Sequence, residues 1–254
     1  MASFTTSAIV LRRIDYGDFD LILSMLTLAR GKMSVIAKAA KRSKKRFGGI
    51  LELFSDLDVV CSTGRNKGLP ILLEASLRYP FINIRADIKK TAYASYWAEL
   101  IHHWVEEGQP QVELYTLLNF VLQELDKGEV SEALLSILFQ MKFLSISGLC
   151  PNLNHCCTCK SAMAQLADKA IVLDHARGGL VCEDCMPFQP QQHLLSKGTV
   201  KQLQWIERNE LNKAVRIRFS PTALSEGLTF LETFVPYHLG REPRSLKFLQ
   251  QIRK

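Results

Sequence analysis

The apolar positions of this chain change texture near Pro80. Before it, from Ser7 to Arg13 and from Leu21 to Ala37, they form short runs rich in Val, Ile, Leu and Thr. The segments DYGDFD (15–20) and ARGKM (29–33) interrupt these runs and read as turns, with Gly31 where a tight hairpin needs it. Further strand-like pieces run from Ile50 to Cys61 and from Leu69 to Leu77, and the turn STGRNKG between them carries Arg65 and Lys67. About five short strands in a small domain with basic loops suit an OB-type barrel, which tracks single strands through charged grooves and stacks bases on aromatics. Tyr16, Phe19, Phe47 and Phe54 are available for stacking, although a Phe in a small barrel is more often core.

After Pro80 the spacing becomes helical. Ile88, Ala92, Tyr96, Leu100, Ile101 and Trp104 share one face, as do Val112, Tyr115, Leu118, Val121, Leu122 and Leu125. A third helix is predicted from about Glu132 to Ile146, ended by Gly148. Ser220 and Pro221 read as the N-cap and first turn of a helix carrying Leu224, Leu228, Leu231 and Phe234.

Composition narrows the classes without choosing one. A hydrophobic share of 47% and a charged share of 22% are ordinary for a globular chain of 254 residues. No apolar run approaches the roughly 18–20 residues that span a bilayer. The opening MASFTTSAIVLRRIDYGD places its cations after the apolar stretch, not before it, so a cytoplasmic location is expected.

Charge is unevenly spread. Residues 1–82 hold 13 Lys or Arg against seven Asp or Glu, so +6 of the net +7 lies there. Within KAAKRSKKR, the cations Lys38, Lys41, Arg42, Lys44, Lys45 and Arg46 have no acid between them, the pattern of a phosphate-contacting loop. A merely solvated surface loop is the competing reading.

The sharpest chemistry lies in the cysteines. Six of the seven fall between Cys150 and Cys185. Cys156 and Cys159 make one C-x-x-C, and Cys182 and Cys185 a second after 22 intervening residues. Two such turns facing each other complete a tetrahedral sulfur shell for one structural Zn2+. Cys150 and Cys157 are spare thiols, Lys160 offers a nearby cation, and Gly178-Gly179 makes a turn that delivers the second pair. A redox dithiol or buried apolar cysteines are the alternatives, and neither needs two matched pairs.

A zinc held by four cysteines keeps no open position for water, so catalysis by it is disfavoured. The element His-x-Glu or Cys-x-Glu before Pro-Cys-x-x-Cys that zinc deaminases need is absent. His102 and His103 lack the H-E-x-x-H spacing of a metalloprotease. Phosphate-loop, dinucleotide and nucleophile-elbow motifs are also missing, so no catalytic residue and no small-molecule substrate are expected.

The order of these features resembles the bacterial RecO recombination mediator family over essentially the whole chain. AIVLRRIDYGDFDLILSMLT followed by RGKMSVIAKAAKRSKKRFGG is similar to that family's opening barrel. GLCPNLNHCCTC and GGLVCEDC resemble the approach to and return from its zinc site, and YHLGREPRSLKFL resembles its closing helices. Lys160 departs from the family, which often has Gly there, and Cys157 is an extra thiol. The resemblance implies an α+β protein: an OB-fold nucleic-acid-binding domain over 1–82, a helical domain over 83–149 and 191–254, and an inserted four-cysteine zinc-finger module over 150–190. It also implies a protein without catalytic activity that binds single- and double-stranded DNA and anneals complementary strands. Its implied partners are RecR and, during RecA loading, single-stranded-DNA-binding protein. An RNA-binding factor or a protein-binding scaffold are the competing classes, since charge alone does not distinguish ribose from deoxyribose.

Overall fold

A computed structural model describes residues 2–63, 68–165, 171–185 and 194–253, with no account of the side chains of Ala2 and Lys44. Arg65 and Lys67 lie outside the described residues. The described chain clusters into two compact units, one of residues 1–127 with 247–254 and one of residues 128–246.

The first unit opens with β1 (Ala2–Tyr16), β2 (Asp20–Thr27) and β3 (Gly31–Ala37). A one-turn helix α1 (Lys44–Phe47), β4 (Asp56–Thr63) and β5 (Ile71–Tyr79) follow. The strands close into a barrel in the order β1-β2-β3-β5-β4. β1 makes closure possible because it serves two neighbours: residues 2–9 pair with β4 and residues 8–16 with β2. A register shift between Val10 and Arg12 bends the strand from one neighbour to the other. The seam between β3 and β5 is the thinnest, held by the parallel pair Ile36 and Ile71 and by Ile36 N donating to Pro70 O at 2.9 Å.

Alternation then fills the barrel. Leu21, Leu23, Met25, Val35, Ala37, Leu57, Val59 and Leu72 point inward with Phe47 and Leu51. The strand expected from Ile50 begins only at Asp56. Phe54 takes a left-handed backbone (φ 69°), which buries its ring and ends any extended run. Gly31 meets two demands at once: its φ is 66°, and a Cβ there would lie 1.7 Å from the carbonyl oxygen of Gln109.

The same unit holds α2 (Ile82–Ala86), α3 (Ile88–Trp104) and α4 (Val112–Lys127). Asp87 caps α3 by accepting from Lys89 N and Lys90 N. Ala92, Tyr96, Leu100 and Ile101 are buried as the spacing predicts, but Ile88 and Val112, each the first residue of its helix, are exposed. A first-turn side chain has no preceding helical turn to share its cover, so periodicity overreaches there.

The second unit contains α5 (Glu132–Ile146), β6 (Ile171–Asp174), β7 (Gly179–Cys182), β8 (Leu194–Leu195), α6 (Lys197–Arg208), α7 (Leu211–Ala214) and α8 (Pro221–Leu239). α5 has the bounds its spacing predicts and packs on α6 and α8. Gly227 lets α8 approach closely, since a Cβ there would stand 3.1 Å from Ile137 Cδ1. Ser220 caps α8 by accepting from Ala223 N, with Pro221 in its first turn. α9 (Arg244–Ile252) straddles the boundary between the units.

Candidate metal centre and basic loop

Two short turns bring the four cysteines together. In the first, Cys156 N donates to Ser161 O at 2.9 Å and Lys160 N to Cys156 O at 3.0 Å, so residues 156–161 close on themselves. Lys160 completes the turn with a φ of 63°. That conformation explains why glycine suits this position: it alone adopts the left-handed region without a Cβ penalty. The second pair sits at the end of β7 and in the 3-10 turn Glu183–Cys185.

Segment 152–157 lies against β7. Asn152 N donates to Gly178 O, Leu180 N to Asn152 O, and Cys157 N to Leu180 O at 2.7 Å. Gly179 permits this approach, because a Cβ there would stand 2.6 Å from Asn152 O and 2.9 Å from Cys157 Sγ. The sulfur of Cys157 therefore faces Gly179. Cys150 is set apart, its thiol pushed up to about 12 by burial and then by the Glu207 carboxylate.

The sulfurs of Cys156, Cys159, Cys182 and Cys185 all lie within 4.8 Å of one another. Cys159 Sγ stands 3.7 Å from Cys182 Sγ, and tetrahedral bonds of about 2.3 Å to zinc imply sulfur separations of about 3.8 Å. Burial raises the Cys156 thiol, but backbone N–H groups of Cys182, Cys159 and Thr158 outweigh it and bring the thiol down to about 6. Ser161 draws Cys159 down. Burial moves Cys182 up, and hydrogen bonds to Cys182 and Cys159 push Cys185 up to about 12. Sulfurs this close cannot all shed their protons unless a cation shares the space, so the donor set fits a divalent, thiophilic metal ion.

Support for these turns comes from residues that the cysteine spacing does not reveal. His155 Nε2 is 3.0 Å from Asn152 Nδ2, and Arg177 Nη1 donates to Thr158 Oγ1 at 2.6 Å while its Nε pairs with Asp174 at 3.6 Å. Asn, Ser and Arg in loops carry no periodic signal, so only the folded turns expose their roles.

The basic run is less uniform than its sequence. Ala39 N donates to Asp20 Oδ1 and Lys41 N to Phe19 O, folding the run against the β1–β2 turn. Lys41 Nζ meets Asp15 of β1 at 3.1 Å, so an acid outside the run neutralises one of its cations. The Arg42 guanidinium lies over the Phe19 ring, 3.2 Å from its centroid. Arg46 donates to Lys38 O at 3.0 Å and to Ser43 Oγ at 3.3 Å. Lys38 and Lys45 are exposed and make no ion pair among the described residues. Lys44 opens α1, and its side chain lies outside the description. Of the stacking candidates, Phe47 and Phe54 are core, Phe19 is half-buried and Tyr16 is exposed.

A family model described as Recombination protein O N terminal matches residues 1–81, and one described as Recombination protein O C terminal matches residues 85–247. The chain belongs to the RecO family. It is 46% identical over 255 residues to the DNA repair protein RecO of Desulfatibacillum aliphaticivorans, covering 100% of this chain and 99% of that one. The DNA repair protein RecO of Desulfosudis oleivorans is 45% identical over 258 residues, again covering 100% and 99%. That of Anaeromyxobacter sp. strain K is 34% identical over 246 residues, 97% of this chain and 95% of its own. The barrel thus coincides with the RecO N-terminal match and the cysteine cluster lies inside the C-terminal one. No described helix is long and apolar enough to cross a membrane.

Proposed function

We propose that this chain is a cytoplasmic DNA repair and recombination mediator that binds single- and double-stranded DNA and anneals complementary strands without catalysing a chemical reaction. With RecR, it assists the loading of RecA onto DNA covered by single-stranded-DNA-binding protein. The observation that carries this reading is the match to RecO proteins along both halves of the chain, at up to 46% identity. The barrel and its cations support it, since Lys38 and Lys45 are exposed beside a fold that tracks nucleic-acid backbones.

Cys156, Cys159, Cys182 and Cys185 would hold one Zn2+, which supplies structural closure. An all-sulfur shell leaves no place for a reacting water, in keeping with a binding protein. The direct test is annealing of complementary oligonucleotides coated with single-stranded-DNA-binding protein. The chain should accelerate duplex formation, and a rate equal to that of the coated strands alone would overturn the reading. Preference for a matched RNA over single-stranded DNA in competition would transfer the activity to RNA.

A further inference from the structure

The second unit carries a cavity that the cysteine cluster and the barrel loop do not use. It measures about 450 Å³ and is lined by Lys201, Gln202, Trp205, Lys213, Arg216 and Ile217, from α6, α7 and the segment that follows them. Three of these six residues are cationic and none is acidic. Over residues 197–218 the chain has six Lys or Arg against two Glu, so the surrounding segment also favours an anion.

Trp205 is 42% exposed, whereas Trp97 is fully buried. An indole left in water on a cationic surface is unusual, because Trp normally spends its large apolar area in a core or an interface. Lys213 Nζ stands 5.1 Å from the Trp205 ring, so an ammonium and a flat aromatic surface are already neighbours. Gln202 Nε2 donates to Arg218 O at 2.8 Å, while its Oε1 has no partner among the described residues. We infer that this cavity is a second nucleic-acid contact, in which Lys201, Lys213 and Arg216 neutralise phosphates and a base of a single strand stacks on Trp205.

The combination selects among anionic ligands. A phosphate paired with Lys213 brings its base beside the indole, and the cavity is of a size that takes a small organic group. The inference rests on the reading of this chain as a DNA-handling protein, but it concerns a unit distinct from the barrel.

The test uses the full chain and an unlabelled oligothymidylate, read by tryptophan fluorescence and by salt-dependent affinity. Stacking should quench the indole, and Trp205→Phe should remove most of the quench with an unchanged melting curve. Lys201→Ala/Lys213→Ala/Arg216→Ala should lower the logarithmic salt slope by about 2 if all three contact phosphates, at about 0.7 per contact. Variants of Lys38 and Lys45 should keep the quench. Wild-type quenching in the Trp205→Phe protein, or wild-type affinity and slope in the folded triple variant, would overturn the inference. So would quenching by an oligo-aspartate peptide with none by the oligonucleotide. If barrel variants bind normally and the triple variant does not, the cavity stands and the barrel assignment alone fails.

Discussion

Cys159 Sγ and Cys182 Sγ stand 3.7 Å apart, one within a self-closing turn and the other at the end of β7. Cys182 N also donates to Cys156 Sγ at 3.4 Å, and the sulfur spacing is that of two corners of a tetrahedron. Cys182→Ser should therefore lower zinc content and thermal stability together, because structural zinc contributes on the order of 10 kcal/mol to the element it closes. Cys157→Ser, whose sulfur faces Gly179, should do neither. Metal analysis with a paired thermal melt decides it, and full zinc occupancy with an unchanged melt in Cys182→Ser would sink the assignment.

Lys160 holds a left-handed backbone that costs an L-residue about 1 kcal/mol. Its ammonium recovers little, donating to Cys157 O at 3.0 Å from an exposed position. Lys160→Gly should raise the stability of the metal-loaded protein by about 1 kcal/mol, less the extra freedom glycine gives the unfolded chain. Chemical denaturation of the two proteins measures this, and a destabilised variant would show that the Lys160 side chain matters more than its backbone.

The sequence made some of this legible and hid the rest for physical reasons. The two C-x-x-C pairs were readable because metal chelation fixes ligand spacing locally, and the structure brings all four sulfurs together. α5 was readable because Gly148, at φ 72°, stops it, while the Ser131 side chain that caps its start by accepting from Leu134 N is seen only in the fold. Phe54 was not, since a left-handed Phe inside an apolar run breaks the strand with no polar signal. Nor was the pairing of Lys41 with Asp15, which depends on the β1–β2 turn folding back onto the loop. Trp205 escaped because an aromatic on a helix usually marks core, and its exposure is a fact of packing alone.

His102 supplies a pH dependence in the first unit. Its Nδ1 lies 3.1 Å from Ser24 Oγ, and burial, then Lys32 and His103, hold its pKa below the usual value. The unfolded chain therefore takes up a proton near pH 6.5 that the folded chain refuses, so stability falls as the pH drops through that value. His102→Asn keeps a side-chain partner for Ser24 without the titration. Its melting temperature should fall less than that of the wild type between about pH 7.5 and 5.5. Parallel lines for the two proteins would show that His102 carries no such linkage.

The exposed cations Lys38 and Lys45 are where the barrel loop is proposed to meet nucleic-acid backbone. Fluorescence anisotropy of a labelled mixed-sequence single strand, titrated at several salt concentrations, measures that contact. Arg46 is a poor choice of variant because it also holds Lys38 O and Ser43 Oγ. Lys38 and Lys45 are exposed, where substitution changes stability by only about 0.5 kcal/mol. Lys38→Ala/Lys45→Ala should weaken binding for every sequence alike and flatten the logarithmic salt slope by about 1.4, at about 0.7 per lost phosphate contact. An unchanged affinity and slope in the folded double variant would return the loop to solvated surface and leave the DNA site elsewhere.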